Sequence, residues 1–453
     1  MSTIFRGSTE AEAGRRTLER RLADEPPRPA PPRLTATELR DLCQELGADD
    51  AGFVEVDRAA LGTQGETAEG LLPGARTFVS LVIATNRDSL MAPPRSVANS
   101  AFHHAGERLA AVAHDIARGL DRLGVRAVVT SVGFPMEVGR WGSGPIWEIA
   151  HKPVAVEAGL GHMGINRNVI HPRFGNFVLL DTLVIDAELD TYDTPLDYNP
   201  CADCNLCVAA CPVGAISRTD DFDFFACLNH NYREFLGGFA DWADTLAAAD
   251  TPEEYRAKFR EDETVSLWQS LGFGPQYKSA YCMAVCPAGE DVIGPYLRDR
   301  RGYVAATLRP LRNRTEPVYV QSGTNAERVA ARNPAKEVRY IDYQVGLASI
   351  DNALRGMQHM FDGTRADLDG TTILCIIDDD TVPHERLLAV RASSLLLLAP
   401  DAEHPEPTVT ARGPLSAWMD LLVHAAAGHP NRPPDLTVTG TTTAFDTLVH
   451  ALH

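Results

Sequence analysis

No apolar run in the sequence approaches the roughly 20 residues that a bilayer-spanning helix needs, so no membrane span is expected. Positive charge is short as well: 42 lysines and arginines face 61 aspartates and glutamates, for a formal net charge of −19. That deficit leaves little basic surface for phosphates and nothing to attract an anionic bilayer, so neither a nucleic-acid nor a membrane partner is expected. The arginine pair Arg15–Arg16 lacks the apolar stretch that an export signal would place behind it; Glu19, Asp24 and Glu25 stand there instead. A cytoplasmic location is the expectation. Internal repeats are also missing, and no solenoid or propeller is anticipated.

What remains is ordinary globular material, 44% hydrophobic and 23% charged over 453 residues, enough for two or three domains. Residues 1–33 read as a charged helix (9–23) followed by a proline-rich spacer. Residues 34–198 alternate helix and strand. "TATELRDLCQELGADDAGFVEV" caps a helix at Thr35 or Thr37 and runs into a strand, "RTFVSLVIA" is a strand covered on both faces, and 102–125 is a long amphipathic helix. The pattern predicts an α/β core with a central sheet. A cysteine-bearing module occupies 199–300, and 301–339 reads as a linker with one short strand, "EPVYVQS". Residues 340–453 change character to a compact α+β domain: a helix at 346–361, strands "TTILCIID", "RASSLLLLA", "PTVTAR" and "LTVTG", and two closing helices.

Seven of the nine cysteines fall between 201 and 286, while Cys43 and Cys375 sit in apolar contexts that suit buried free thiols. Clustered cysteines in a cytosolic chain mean metal rather than disulfides. "CADCNLCVAACP" has the C-x2-C-x2-C-x3-C-P spacing that wraps a cubane iron–sulfur cluster; CxxC also suits zinc, but four cysteines followed by Pro212 favour iron–sulfur. In the two-cluster form Cys201, Cys204 and Cys207 hold one cluster and Cys211 crosses to the other. The second run, "YCMAVCP", is one cysteine short. By the same crossing rule Cys286 completes the first cluster, leaving Cys211, Cys227 and Cys282 for the second. Ser279 stands where a fourth thiolate would be expected. The second site is then a four-iron cluster with an oxygen ligand, a three-iron cluster, or empty.

"AGLGHMGINRNVIHPRFGNFVLLDTLVID" followed by the cysteine run resembles the core shared by reductive dehalogenases and epoxyqueuosine reductases, over roughly residues 35–300. The resemblance implies base-off cobalamin above a double 4Fe-4S module, with Gly159, Gly161, Gly164, His162 and Asn166 near the corrin ring. The last segment resembles sterol-carrier-type lipid-binding domains, which implies an apolar tunnel. Neither family's proton donor is in place: "NSAFHHAGER" has no tyrosine, and Pro145 stands at the approximate place of the reductases' aspartate, with Glu148 nearby. Candidates for the acid are His103, His104, Glu148 and His151, with Arg173 as a positive group for a substrate anion.

The leading expectation is a cobalamin-dependent reductive dehalogenase of a small organohalide, amphiphilic or fatty-acid-like, fed by a separate ferredoxin- or flavodoxin-type donor. The alternatives are an epoxyqueuosine reductase acting on tRNA, against which the acidic charge weighs, and a non-catalytic electron-transfer and lipid-binding protein.

Overall fold

The computed structural model describes residues 33–133, 148–201, 204–218, 222–235, 237–276, 280–341, 367–378, 383–391, 394–398, 406–426 and 432–452, with Arg16, Leu354, Phe361 and Gly363. The N-terminal helix and the helix at 346–361 expected from sequence, the glycine-rich loop 139–145 and Ser279 lie outside the described residues.

The core opens with α1 (Ala36–Glu45), where Thr35 and Glu38 form a reciprocal capping box. Next come β1 (Asp50–Glu55), α2 (Gln64–Leu71), β2 (Thr77–Ala84), α3 (Arg87–Met91), α4 (Arg95–Arg122) and β3 (Ala127–Val129). After them stand α5 (His151–Glu157), the short pair β4 (His162–Met163) and β5 (Val169–Ile170), and β6 (Val178–Ile185). The central sheet has the order β1-β2-β6-β3, and every neighbour pair is antiparallel. β2 is buried on both faces, as its unbroken apolar run predicts. One face packs Val79, Leu81 and Ile83 on Leu109, Ile116 and Leu120 of α4; the other packs Phe78 and Val82 on Val154 and Ala155 of α5. Helix α4 starts at Arg95, not near 102. Its first turns carry Arg95, Ser96, Asn99 and Ser100, which show no apolar stripe in sequence.

The cysteine module follows: α6 (Leu206–Ala210), α7 (Phe224–Asn231), α8 (Gly237–Ala248), α9 (Pro252–Lys258), α10 (Glu261–Phe273), α11 (Ala280–Ala284) and α12 (Gly294–Arg298). Residues 301–339 are not a linker. They fold as α13 (Arg300–Asn313), β7 (Glu316–Val320), α14 (Asn325–Ala331) and β8 (Lys336–Tyr340), with β7 and β8 paired in parallel. Leu308 and Leu311 of α13 pack with Ala210, Tyr281 and Cys207, while Val318, Val320 and Ala330 pack with Val213, Cys211 and Cys227. Arginine-rich "RRGYVAATLRPLRN", with Pro310 inside the helix, hides this structure from a hydropathy reading.

The C-terminal part is a five-stranded sheet, β9 (Thr372–Asp378), β10 (His384–Arg391), β11 (Ser394–Leu397), β12 (Val409–Pro414) and β13 (Thr437–Gly440), in the order β11-β10-β9-β12-β13. Helices α15 (Leu415–Ala426) and α16 (Thr442–His450) complete it. The segment read as one strand from 391 is the second arm of a β10–β11 pair, in register at Arg391 and Ser394. Between sheet and helices, Ile373, Cys375, Ile377, Trp418 and Phe445 form one packed core, with Trp418 and Phe445 edge to face at 6.4 Å. Cys43 and Cys375 are both buried and free.

Candidate metal centre

The cysteines sort into two groups by space, not by sequence order. Cys201, Cys204, Cys207 and Cys286 wall a hollow of about 170 Å3 whose remaining lining is mostly apolar, including Ile165, Ile170, Leu206 and Ile293. Cys211, Cys227 and Cys282 form the other group: the thiols of Cys227 and Cys282 lie within electrostatic reach of each other and of Cys211. Thus Cys211, four residues after Cys207, belongs to the far group, and Cys286, four residues after Cys282, to the near one. Cys207 and Cys282 bring the two groups within electrostatic reach of each other.

Backbone and amide donors aim at the second group. Ala215 N donates to Cys211 Sγ at 3.3 Å, Asn231 Nδ2 to Cys227 Sγ at 3.5 Å and Asn168 Nδ2 to Cys282 Sγ at 3.9 Å. Such donors stabilise thiolate charge and tune a cluster's potential. Among the described residues no three Cys, His, Asp or Glu side chains converge on a point as they would around a single ion. Four thiols around a mostly apolar hollow, and three more under N–H donors, are a donor set that suits iron–sulfur clusters.

Without metal these thiols hold their protons. Burial, and then the charges of neighbouring cysteines, push Cys207, Cys227 and Cys282 up to about 12, and burial raises Cys211 and Cys286 too. Thiols whose folded pKa lies above the unfolded value stabilise the metal-free fold below about pH 8.5, and that contribution fades as pH rises toward 12. The metal-free chain should therefore melt at progressively lower temperature between pH 8.5 and 10.5. The loaded chain, its thiolates already deprotonated, should show a flatter dependence in the same calorimetric series.

Between the two groups lies the β4–β5 hairpin. Its turn is closed by Gly164 N donating to Asn168 O at 2.8 Å and by Asn166 Oδ1 accepting from Asn168 N at 3.2 Å, with Arg167 in the left-handed region at φ 60°. Asn166 lines the first hollow, and Asn168 meets Cys282. Lys152, one residue into α5, donates from Nζ to Arg167 O at 2.6 Å. Its side chain is exposed to solvent, although protein atoms crowd around its base. That crowding pulls its pKa below the usual lysine range, while the thiols of Cys282 and Cys227 pull the other way.

The residues expected to donate a proton or bind an anion are scattered. His103 bonds Pro275 O through Nε2 at 2.7 Å, and His104 lies on the surface beside Glu107 at 3.2 Å. His151 has both nitrogens fixed, Nε2 donating to Ser131 O at 2.8 Å and Nδ1 meeting Thr182 Oγ1 at 3.0 Å; burial lowers its pKa and keeps it neutral. Glu148 is half-buried and within electrostatic reach of His151. Arg173 pairs with Asp291 at 3.0 Å on the surface. None of these bonds reaches a thiol. Lys152 and Asn168, which do neighbour the thiols, carried no sequence signal beyond their closeness to His151 and Asn166.

The glycines of "AGLGHMG" are glycines because protein fills the space a side chain would take. A Cβ at Gly159 would meet Thr194 O at 2.8 Å, at Gly161 Ile170 O at 2.5 Å, and at Gly164 Asn166 Oδ1 at 2.8 Å. His162 is half-buried on β4. The hollow at the first thiol group is smaller than the roughly 300–1,000 Å3 of a drug-sized site, and a corrinoid is larger still. The described residues therefore form no corrin cradle beside the thiols, and no step is derived through cobalamin.

No family model matches the chain. The chain is 33% identical to an epoxyqueuosine reductase of Cellulophaga algicola over 103 residues, which is 21% of this chain and 33% of that protein. It is 24% identical to the epoxyqueuosine reductase of Lactococcus garvieae over 344 residues, 70% of this chain and 88% of that one. The first match thus spans only about a third of its relative. An epoxyqueuosine reductase solved with a tRNA-Tyr epoxyqueuosine-modified stem loop superposes with a TM-score of 0.28 at 18% identity, over 44% of this chain and 60% of that one. Both curated relatives carry the name of the reading held above as the alternative to dehalogenation. Their name, that of the reading tied above to tRNA, overturns the expectation of no nucleic-acid partner. Net charge is a sum over the whole chain, whereas a stem loop needs only a local patch, so −19 was the wrong test. Among the described residues no helix is long and apolar enough to cross a membrane.

Proposed function

We propose that the chain is an iron–sulfur oxidoreductase that reduces an epoxyqueuosine-type nucleoside carried on tRNA. The observation that carries the reading is the spatial sorting of the seven thiols into two adjoining groups, with Lys152 beside the second. The names of the curated relatives supply the substrate class.

Cys201, Cys204, Cys207 and Cys286 would hold one cluster, and Cys211, Cys227 and Cys282 the other. Each cluster supplies one-electron transfer at low potential. Deoxygenation of an epoxide to an alkene balances with two electrons and two protons: both C–O bonds break, a C=C bond forms, and the oxygen leaves as water. The electrons come from an external low-potential one-electron donor. An ammonium with a lowered pKa is a better acid at neutral pH, so Lys152 Nζ is the proton source, held in place by Arg167 O. Asn168 and Asn231 hold the thiolates of Cys282 and Cys227 in orientation.

The test incubates the anaerobically reconstituted chain with an epoxyqueuosine-bearing tRNA stem loop and dithionite, with and without added cobalamin, and identifies nucleosides by mass spectrometry. Queuosine formation under either condition supports the reading, and its absence under both overturns it. Lys152→Met should lower the turnover number by about 10²–10⁴, with iron content and the visible spectrum unchanged.

A further inference from the structure

We propose that Arg95 is the counter-charge of the second thiol group and raises the reduction potential of the cluster held there. The inference rests on the reading that Cys211, Cys227 and Cys282 hold a cluster, and it adds a residue that neither the cysteine spacing nor the relatives' names point to.

Arg95 is the first residue of α4 and only 7% exposed. Its Nη1 donates to Leu90 O at 3.2 Å and Ala92 O at 3.0 Å, both neutral carbonyls. Its Nε and Nη2 are buried and have no hydrogen-bond partner among the described residues. Burying a guanidinium without an anion is strongly unfavourable, so the arrangement is stable only if negative charge arrives from elsewhere. The nearby carboxylate, Glu316, is already claimed: Lys336 Nζ lies 2.5 Å from it, Arg314 3.4 Å, and the Tyr281 hydroxyl donates to it. Two cations against one carboxylate leave Arg95 uncompensated.

The surplus positive charge lies beside the short helix that carries Cys282 of the second thiol group. Arg95 Cζ stands 5.8 Å from the centroid of the Tyr281 ring, and Tyr281 precedes Cys282 on α11. Met283 of the same short helix packs with Leu90 and Ala98, on either side of Arg95 in the chain. Tyr281, Arg314, Glu316 and Cys282 are among the described ionisable groups within electrostatic reach of Arg95. The amino end of α4, 28 residues long and capped by Pro94 with no side-chain acceptor, adds positive partial charge at the same place. A thiolate-ligated cluster is an anion, and one-electron reduction makes it more negative. A buried cation therefore favours the reduced form, and in a low-dielectric setting the effect is not screened away.

The experiment is a potentiometric titration of the reconstituted full chain, followed by EPR, on the wild type, Arg95→Gln and Arg95→Lys. Cys227→Ala identifies which signal belongs to the second cluster. In R95Q the ratio of reduced to oxidised second cluster at a fixed potential should fall about tenfold, a shift of about 59 mV downward for one electron, while the first cluster keeps its potential. R95K, which keeps the charge but not the forked bonds to Leu90 O and Ala92 O, should stay near the wild-type value. Unchanged potentials in R95Q would overturn the assignment. Equal shifts in R95Q and R95K would also overturn it, because the carbonyl bonds and not the charge would then matter. A wild-type chain with normal first-cluster signal and no second one would overturn the underlying reading of the three cysteines, and the role of Arg95 with it.

Discussion

Cys211→Ala and Cys286→Ala should remove different clusters, each one the cluster that does not include its nearest cysteine neighbour in the chain. In C286A the signal of the cluster held by Cys201, Cys204 and Cys207 is lost, although the residue is four positions from Cys282. In C211A that signal stays and the other disappears, although Cys211 is four positions from Cys207. The expectation follows from the hollow walled by Cys201, Cys204, Cys207 and Cys286, and from the mutual reach of Cys211, Cys227 and Cys282. Iron analysis with EPR on the two variants checks it: each should lose one cluster's iron and keep the other signal intact. Loss of the same signal in both variants would refute the crossed arrangement.

Gly175→Ala should be among the most damaging single-methyl changes in the chain. Gly175 sits at φ 64°, and a Cβ there would come within 1.8 Å of Ala288 O, a backbone atom just past Cys286 and Pro287. Gly289 answers from the other side: at φ 104° its own Cβ would meet Gly175 N at 2.3 Å. Backbone bonds fasten the same crossing, Glu290 N to Pro172 O at 2.9 Å and Asp291 N to Arg173 O at 3.0 Å, with the Arg173–Asp291 ion pair outside them. The expected loss is about 2–5 kcal/mol, from left-handed backbone strain together with a clash that no rotamer relieves. Because the displaced segment carries Cys286, the first cluster should be lost before the fold melts. Gly106→Ala is the control: within α4 its Cβ would meet nothing within 4 Å, so it should stabilise the helix by up to about 1 kcal/mol. Thermal melts with parallel iron analysis separate the two outcomes.

The parts of the fold that were legible in sequence are those governed by local rules. The helix cap, expected at Thr35 or Thr37 and found at Thr35, and the doubly covered β2 follow from short-range patterns, whereas the crossed ownership of Cys211 and Cys286 is an expectation from spacing that the C211A and C286A variants test. The parts that were not legible depend on tertiary neighbours. Residues 301–339 looked like a connection because their helix is rich in arginine, yet Leu308, Leu311, Val318 and Val320 back both thiol groups. The glycines at 159, 161 and 164 suggested a flat ligand, but the atoms that forbid a side chain there belong to Thr194, Ile170 and Asn166. Arg173, expected to meet a substrate anion, pairs with Asp291 on the surface, a partner 118 residues away that no local pattern announces. Lys152 and Arg95 were invisible for a simpler reason: a cation draws its meaning from the groups folded against it, and the cysteines near them in space lie more than 70 residues away in sequence.

The crossed cysteines also set the order in which the protein can be completed. A cluster that joins Cys201 to Cys286 cannot close on the ribosome until the later residue has emerged, so the nascent core stays unlocked while α7 to α10 are being made. Once closed, it is a clasp around a long loop, and the entropy of closing such a loop grows by only about 0.6 kcal/mol for each doubling of its length. The length of the stretch between Cys227 and Cys282 therefore weighs little in closing the clasp, whereas its anchors, Asn231 on Cys227 and Glu263 on Tyr319 and Arg339, must be kept. Only the exposed faces between those anchors are free to acquire a new surface while the wiring stays fixed.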